Sequence, residues 1–170
     1  QLKPAYNVQL SIKNQFIAAY SIHPNPTDTN TLIDHLTQVK AELGSNPSNV
    51  TADAGYGSEE NYQWMEKNKI TAYVKHNQFD REQNERISKK QRFRSDKLAY
   101  DKKKDQMICP SGKPMHRKGT STTTTSTGYE QQLTVYQAED CRWCPLRKQC
   151  HQQKGNRIIE VNHNLRRLKQ

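Results

Sequence analysis

The stretch VTADAGYGSEENY, residues 50–62, ends a short β-branched run on a single carboxylate, Asp53, and then turns. Ala54, Gly55 and Gly57 remove steric bulk from the turn, and Ser58 followed by Glu59 and Glu60 has the form of a capped helix start. In open α/β sheets the functional groups lie beyond the carboxyl ends of parallel strands, where such a turn exposes a side chain. A carboxylate placed there can reach a divalent cation bound to a phosphodiester, since Mg²⁺ and Mn²⁺ demand hard oxygen ligands. One acid does not complete such a site, and a strand-end Asp also serves as a turn or cap residue.

Working outward, AYNVQLSI (5–12) and QFIAAYSI (15–22) alternate aromatic and β-branched residues about a short break, the pattern of an antiparallel hairpin. Pro24 and Pro26 end it. Leu32, Ile33, Leu36, Val39 and Leu43 then recur at helical spacing over 27–44, with Thr27, Asp28 or Asn30 as start signals and Gly44 as the stop. NVTADA (49–54) is a strand, SEENYQWMEKN (58–68) a helix and ITAYVKH (70–76) a strand. Residues 1–76 therefore read β-β-α-β-α-β.

Beyond Lys75 the texture changes. Residues 77–97 are almost wholly polar and read as a loop or loosely held helix, and 97–110 as two short strands about a Lys/Asp turn. The Thr/Ser tract RKGTSTTTTSTGYE (117–130) has nothing to bury and reads as a mobile connector. EQQLTVYQAE (130–139) and NRIIEVN (156–162) resume strand patterns. The chain thus reads as a compact part (1–76), a basic, cysteine-bearing insertion poor in core residues (77–155), and a strand returning to the first core (156–170).

Of 170 residues, 27 are Lys or Arg and 17 Asp or Glu, a net charge of +10. Residues 1–74 hold 5 basic and 7 acidic residues, 75–118 hold 14 and 6, and 119–170 hold 8 and 4. A cationic segment beside a near-neutral one is the footprint of a polyanion partner, and DNA is the partner expected. Arg92, Arg94, Lys102, Lys103 and Lys104 are the leading phosphate contacts; the competing reading is a solvated basic loop. With 32% hydrophobic residues, composition argues against an interaction domain built on an apolar surface patch. No apolar run is long enough for a membrane span, and the N-terminus lacks a secretory pattern, so the expected location is the cytoplasm.

Four cysteines, Cys109, Cys141, Cys144 and Cys150, are spaced C-x31-C-x2-C-x5-C. Four thiols in one cytosolic module suit a tetrahedral Zn²⁺ site, with His116 and His151 as alternative ligands; reduced thiols and a disulfide are the competing readings. CPSGK supplies only half of a zinc-ribbon turn, so Cys150 has to stand for the missing ligand.

The ordered set LKPAYNVQLSIKNQFIAAYSI, NPTDTNTLIDHL, TADAGYGSEENY, CPSGK, CRWCPLRKQC and NRIIEVN, spanning Leu2 to Asn162, resembles bacterial insertion-sequence transposases of the DDE superfamily. That resemblance implies an RNase H-like catalytic core, here incomplete, with a DNA substrate, Mg²⁺ or Mn²⁺ as cofactor, and a homo-oligomer in the full-length protein. By resemblance Asp53 matches the second acid of the catalytic triad. The first Asp is implied on a strand before this hairpin and the Glu on a helix after the insertion, both outside this chain, so the chain alone is expected to be inactive. Glu160 lies in a strand-like stretch and is not assigned as the third acid. The alternative is a non-catalytic nucleic-acid-binding module with a small zinc ribbon. Lesser candidates are Asp28 and Asp34 as helix-start and helix-surface acids, His23 as a surface residue or one facing Asp53, Tyr56 as a packing or DNA contact, and Asn61 and Lys75 as phosphate contacts.

Overall fold

The computed structural model describes residues 5–76, 79, 83, 84, 86 and 91–169. Most of the polar stretch 77–90, read above as loop or loose helix, lies outside the described residues. The fold is mixed α/β and divides into two units, one within Gln1–Phe79 and one within Asp80–Leu168.

In the first unit, β1 (Asn7–Lys13) and β2 (Phe16–His23) form the expected antiparallel hairpin, with a register shift at Ser11/Ile12. Its turn residues Asn14 and Gln15 both take positive φ, 50° and 70°, which matches the right-handed twist of the strands it joins. Helix α1 (Leu32–Leu43) follows a 3₁₀ turn over Asp28–Asn30 and ends at Gly44, whose φ of 74° is the left-handed stop. Leu32, Leu36 and Val39 are buried, each burial contributing about 1.5–3 kcal/mol.

The hairpin face toward α1 is polar. Ser11 and Ser21 hold the two ring nitrogens of buried His35 at 2.7 Å each, and Ser21 also meets His23 at 2.7 Å. His23 is therefore an internal residue, not a surface one. Burial, and after it the neighbouring His23, lowers the His35 pKa, which favours the neutral His35 ring. The apolar alternation of the hairpin faces the other way: Val8, Leu10, Ile12, Ile17, Tyr20 and Ile22 are all more than half exposed. Composition pointed away from such an apolar patch, yet even a chain poor in hydrophobic residues makes one when they alternate along paired strands.

β3 (Asn49–Ala52) and β4 (Thr71–Val74) pair in parallel through α2 (Glu59–Lys67), which Ser58 caps by accepting from the Asn61 N–H at 3.1 Å. Hairpin and parallel pair are separate two-stranded sheets.

The second unit is a five-stranded antiparallel sheet in the order β5-β6-β7-β8-β9: Ala99–Asp101, Gln106–Ile108, Pro114–Thr124, Glu130–Ala138 and Ile158–Val161. The short helices α3 (Arg147–Cys150) and α4 (His163–Leu168) are among the described elements that accompany it. Three expectations change here. The Thr/Ser tract is not a loose connector, for Thr120–Thr124 pair residue by residue with Glu130–Thr134. Threonine buries little but is β-branched, and a strand asks only that its backbone pair. The strand at 156–162 does not return to the first unit; β9 pairs with β8, burying Ile159 and Val161. Nor is the basic segment coreless, since Leu98, Met107, Met115, Tyr136, Ala138, Cys141, Ile159 and Val161 form one buried cluster. At its edge the Tyr136 hydroxyl reaches Asp105 at 2.7 Å and His163 at 2.8 Å, and the Tyr100 hydroxyl donates to Asp105 at 2.9 Å.

Candidate active site and nucleic-acid surface

Asp53 stands exposed at the C-terminal end of β3. It caps the 3₁₀ turn Ala54–Tyr56, its Oδ1 accepting the Gly55 N–H at 2.7 Å. The cap reading of this residue is thus correct as geometry, and it leaves Oδ2 outside that hydrogen bond. Asp28 joins it. A methyl group on Gly55 would sit 3.0 Å from Asp53 Oδ1 and 3.3 Å from Asp28 Oδ2, so both carboxylates flank one point.

Asp28, read from sequence as a helix-start acid, has its Oδ1 bound by Asn7 Nδ2 at 2.8 Å and Gln9 Nε2 at 3.1 Å. Tyr56 donates its hydroxyl to Gln9 Oε1. Burial and then the two carboxylates raise the Tyr56 pKa, keeping the phenol protonated. Asn61 is no phosphate ligand: buried, it donates to Thr29 O at 2.9 Å and Tyr56 O at 2.8 Å, stapling the two 3₁₀ turns to α2. His23 turns to Ser21 rather than to Asp53. Asp34 lies exposed on the first turn of α1.

Gly57 holds the turn against β4. A Cβ there would lie 2.6 Å from the Lys75 carbonyl oxygen and 2.8 Å from Tyr62 Oη, a backbone approach only glycine permits. Beside the turn runs a trough of about 460 Å³ between β1 and β3, lined by Gln9, Leu10 and Ile12 on one side, Val50 on the other, and Leu36 and Val39 of α1. Each strand pairs on one edge only among the described residues.

The candidate phosphate contacts belong to the second unit. Lys102, Lys103 and Lys104 are exposed on the β5–β6 turn, where Asp101 Oδ1 accepts the Lys103 and Lys104 N–H groups at 2.9 and 3.3 Å. Among the described residues no carboxylate pairs with their ammonium groups. Arg94 is partly neutralised by Asp96 at 2.9 Å, while Arg92 lies over Phe93 and donates to Gln149 at 3.1 Å. The lysine turn is therefore the least committed cationic group of the expected set. Glu160, on the edge strand β9, accepts from Ser121 Oγ at 2.9 Å.

All four cysteines line one cavity of about 20 Å³. His116 is exposed on β7 and takes no part; His151 lines the cavity. Among the described residues, no three His, Cys, Asp or Glu side chains are drawn together closely enough to hold a metal ion, and this applies equally to Asp53 with Asp28. The Asp28–Asp53 pair, and Arg157 beside the cysteines, are the features that sequence spacing left unplaced.

A family model described as a transposase DDE domain matches residues 108–170. The matched segment, 63 of the 170 residues, is similar to DDE-family transposases and holds all four cysteines. No curated protein and no solved structure matches the chain. Among the described residues no helix is long and apolar enough to cross a membrane.

Proposed function

We propose that the chain is the central part of a DDE transposase: an RNase H-like core lacking one strand and its closing helix, followed by a basic sheet that holds DNA. The parent enzyme would cleave and rejoin DNA by attack of water or a 3′ hydroxyl on a phosphodiester. The observation that carries the reading is the transposase DDE-domain match over 108–170, in a chain whose other unit presents Asp53 at the end of a parallel strand.

Two further features support an incomplete core. The unpaired edges of β1 and β3 face one trough, the space an additional strand would fill by pairing with both. The exposed apolar face of the hairpin is the surface a further helix would cover. A strand in the trough would bring its own residues to the Asp53 turn.

The acids present suit a hard divalent ion in kind but not in number, since phosphoryl-transfer sites clamp their ions with several carboxylates. Asp53 would offer Oδ2, with Asp28 held beside it by Asn7 and Gln9. When bound, the ion would activate the attacking oxygen and offset charge on the phosphoryl group. Tyr56 and Gln9 keep the turn rigid, and the Lys102–Lys104 turn would hold the phosphate backbone without reading sequence.

The test uses the full-length parent and this chain together. Asp53→Ala in the parent is expected to abolish Mn²⁺-dependent strand cleavage while DNA binding persists. Replacing Lys102, Lys103 and Lys104 by Ala in the chain is expected to flatten the slope of log K against log salt by about 0.9 for each phosphate no longer held. Full cleavage by the Asp53→Ala parent would refute the catalytic assignment, and an unchanged salt slope would refute the lysine turn as the DNA-binding element.

A further inference from the structure

We propose that the cysteine cavity is a tetrathiolate Zn²⁺ site formed by Cys109, Cys141, Cys144 and Cys150, its negative charge met by buried N–H donors of Arg157 and His151. Two stretches more than thirty residues apart in the chain converge to make it. One is the turn after β6, where the Gly112 N–H donates to the Cys109 carbonyl at 2.9 Å. The other is the loop from Cys141 to His151, which begins with the Cys144 N–H 3.4 Å from the Cys141 carbonyl.

That loop is fixed independently of any ion. Arg147 donates to the carbonyls of Cys141, Gln153, Lys154 and Gly155 at 2.8–3.1 Å. Asn156 accepts the Cys141 N–H at 3.0 Å and donates to the Glu139 carbonyl at 2.6 Å. These polar links hold the short irregular segment whose three cysteines line the cavity together with Cys109.

Two buried groups point to an anionic occupant. Arg157 is only 7% exposed, and no carboxylate among the described residues pairs with its guanidinium. Its Nη1 lies 3.0 Å from Cys150 Sγ, its Nη2 donates to the Phe93 carbonyl, and its backbone N–H lies 3.5 Å from Cys141 Sγ. Buried charges are paired or serve metal sites, and four neutral thiols offer this cation nothing to pair with.

His151 makes the same point by its hydrogen bonds. Its Nδ1 accepts the Gln153 N–H at 3.2 Å, so in the neutral ring the proton sits on Nε2. Nε2 is buried without a partner. A metal-bound thiolate supplies the missing acceptor, and the same tautomer removes His151 from the ligand set. Arg157 and His151 are then the outer hydrogen-bond donors that orient and stabilise ligating sulfur.

The size of the cavity selects the occupant. At about 20 Å³ it admits one ion or one water, and neither an organic ligand nor an iron–sulfur cluster. Four thiol donors around a cavity of that size select zinc by donor chemistry. The sulfurs line the cavity without closing to ligation distance, so binding includes a side-chain rotation that draws them inward. In that step Zn²⁺ replaces four thiol protons, leaving a Zn(Cys)₄ centre of charge −2 and four released protons.

The full chain, purified under reducing conditions without added metal, is expected to carry about one zinc per molecule by elemental analysis. Co²⁺ exchanged into it is expected to show the absorption of a tetrahedral sulfur site. Cys144→Ser should lose the zinc, His151→Ala should keep the stoichiometry, and Arg157→Gln should weaken zinc affinity in chelator competition by about 10–100-fold. Metal-free protein with four freely reactive native thiols would overturn the proposal, as would a disulfide seen by intact mass or a full zinc equivalent retained by Cys144→Ser. If Cys144→Ser fails to fold, the metal content of the unaltered chain still decides the matter.

Discussion

Replacing Gly57 by alanine tests how the Asp53 turn is held. The added Cβ would stand 2.6 Å from the Lys75 carbonyl oxygen, 2.8 Å from Tyr62 Oη and 3.1 Å from His76 Cα. Ordinary contacts lie near 3.5–4.0 Å, so the turn and the end of β4 must part by about 1 Å. The nearest obstacle is backbone, which cannot rotate aside, and Tyr62 is itself tied to the Val74 carbonyl at 3.3 Å. Such overpacking costs about 1–3 kcal/mol. The glycine sits at φ −72° and ψ 95°, open to any residue, so alanine regains about 0.4–1 kcal/mol through the unfolded chain. A net loss of about 1–2 kcal/mol is expected. The chain has two tryptophans, Trp64 on α2 and Trp143 in the second unit, so fluorescence in a Trp143→Phe background follows the first unit alone. With a urea slope of about 2 kcal/mol/M, the midpoint should fall by about 0.5–1 M. Gly155→Ala, where a Cβ meets nothing within 4 Å, is the control and should leave it unchanged. Equal midpoints for Gly57→Ala and the control would refute the close approach of turn and β4.

In the second unit, Tyr136→Phe deprives Asp105 and His163 of a shared hydroxyl and should cost about 1–2 kcal/mol in a denaturant titration. Acid should weaken the same unit in two stages. Burial, followed by Arg166, lowers the folded His163 pKa, so its contribution is complete above the unfolded value of about 6.5 and fades as pH falls through the folded one. The Tyr136 hydroxyl, then Tyr100 and Arg117, lower the Asp105 pKa, so its contribution is complete above about 3.9 and is lost below that as pH passes the folded value. Thermal melts against pH, with His163→Gln removing the upper stage, check the order. Amides of residues 120–124 paired across the β7–β8 ladder should be protected from hydrogen exchange; exchange at free-peptide rates would restore the loose-connector reading.

The first unit was legible in sequence wherever a residue acts locally. Leu32, Leu36 and Val39 announce α1, Ser58 caps α2, and Gly44 stops its helix, because periodicity and capping are short-range physics. The pairing of Asp53 with Asp28 was not legible, since 25 residues separate them and only tertiary packing brings both beside Gly55. His23 departs from its surface reading for a related reason: serines on strands supply the partners that let imidazoles be buried. The second unit misled most, because its core comes from isolated residues such as Met107, Met115 and Tyr136, one or two per strand, set in polar runs. The cysteine spacing grouped Cys109 with the other three, but Arg157 carried no mark of its place beside them, for it reads on its own as one more surface cation.

The threonine-rich strand β7 can absorb changes of length at one of its ends. From Thr120 to Thr124 the side chains are nearly interchangeable and mostly face water, so the ladder with β8 sees little difference when the tract slides by two residues. What anchors the register lies at the other end: Met115 in the core and the irregular pairing between Arg117 and Gly119. A pair of residues gained or lost in the threonine tract lengthens or shortens the tip of a ribbon and leaves the buried core in place.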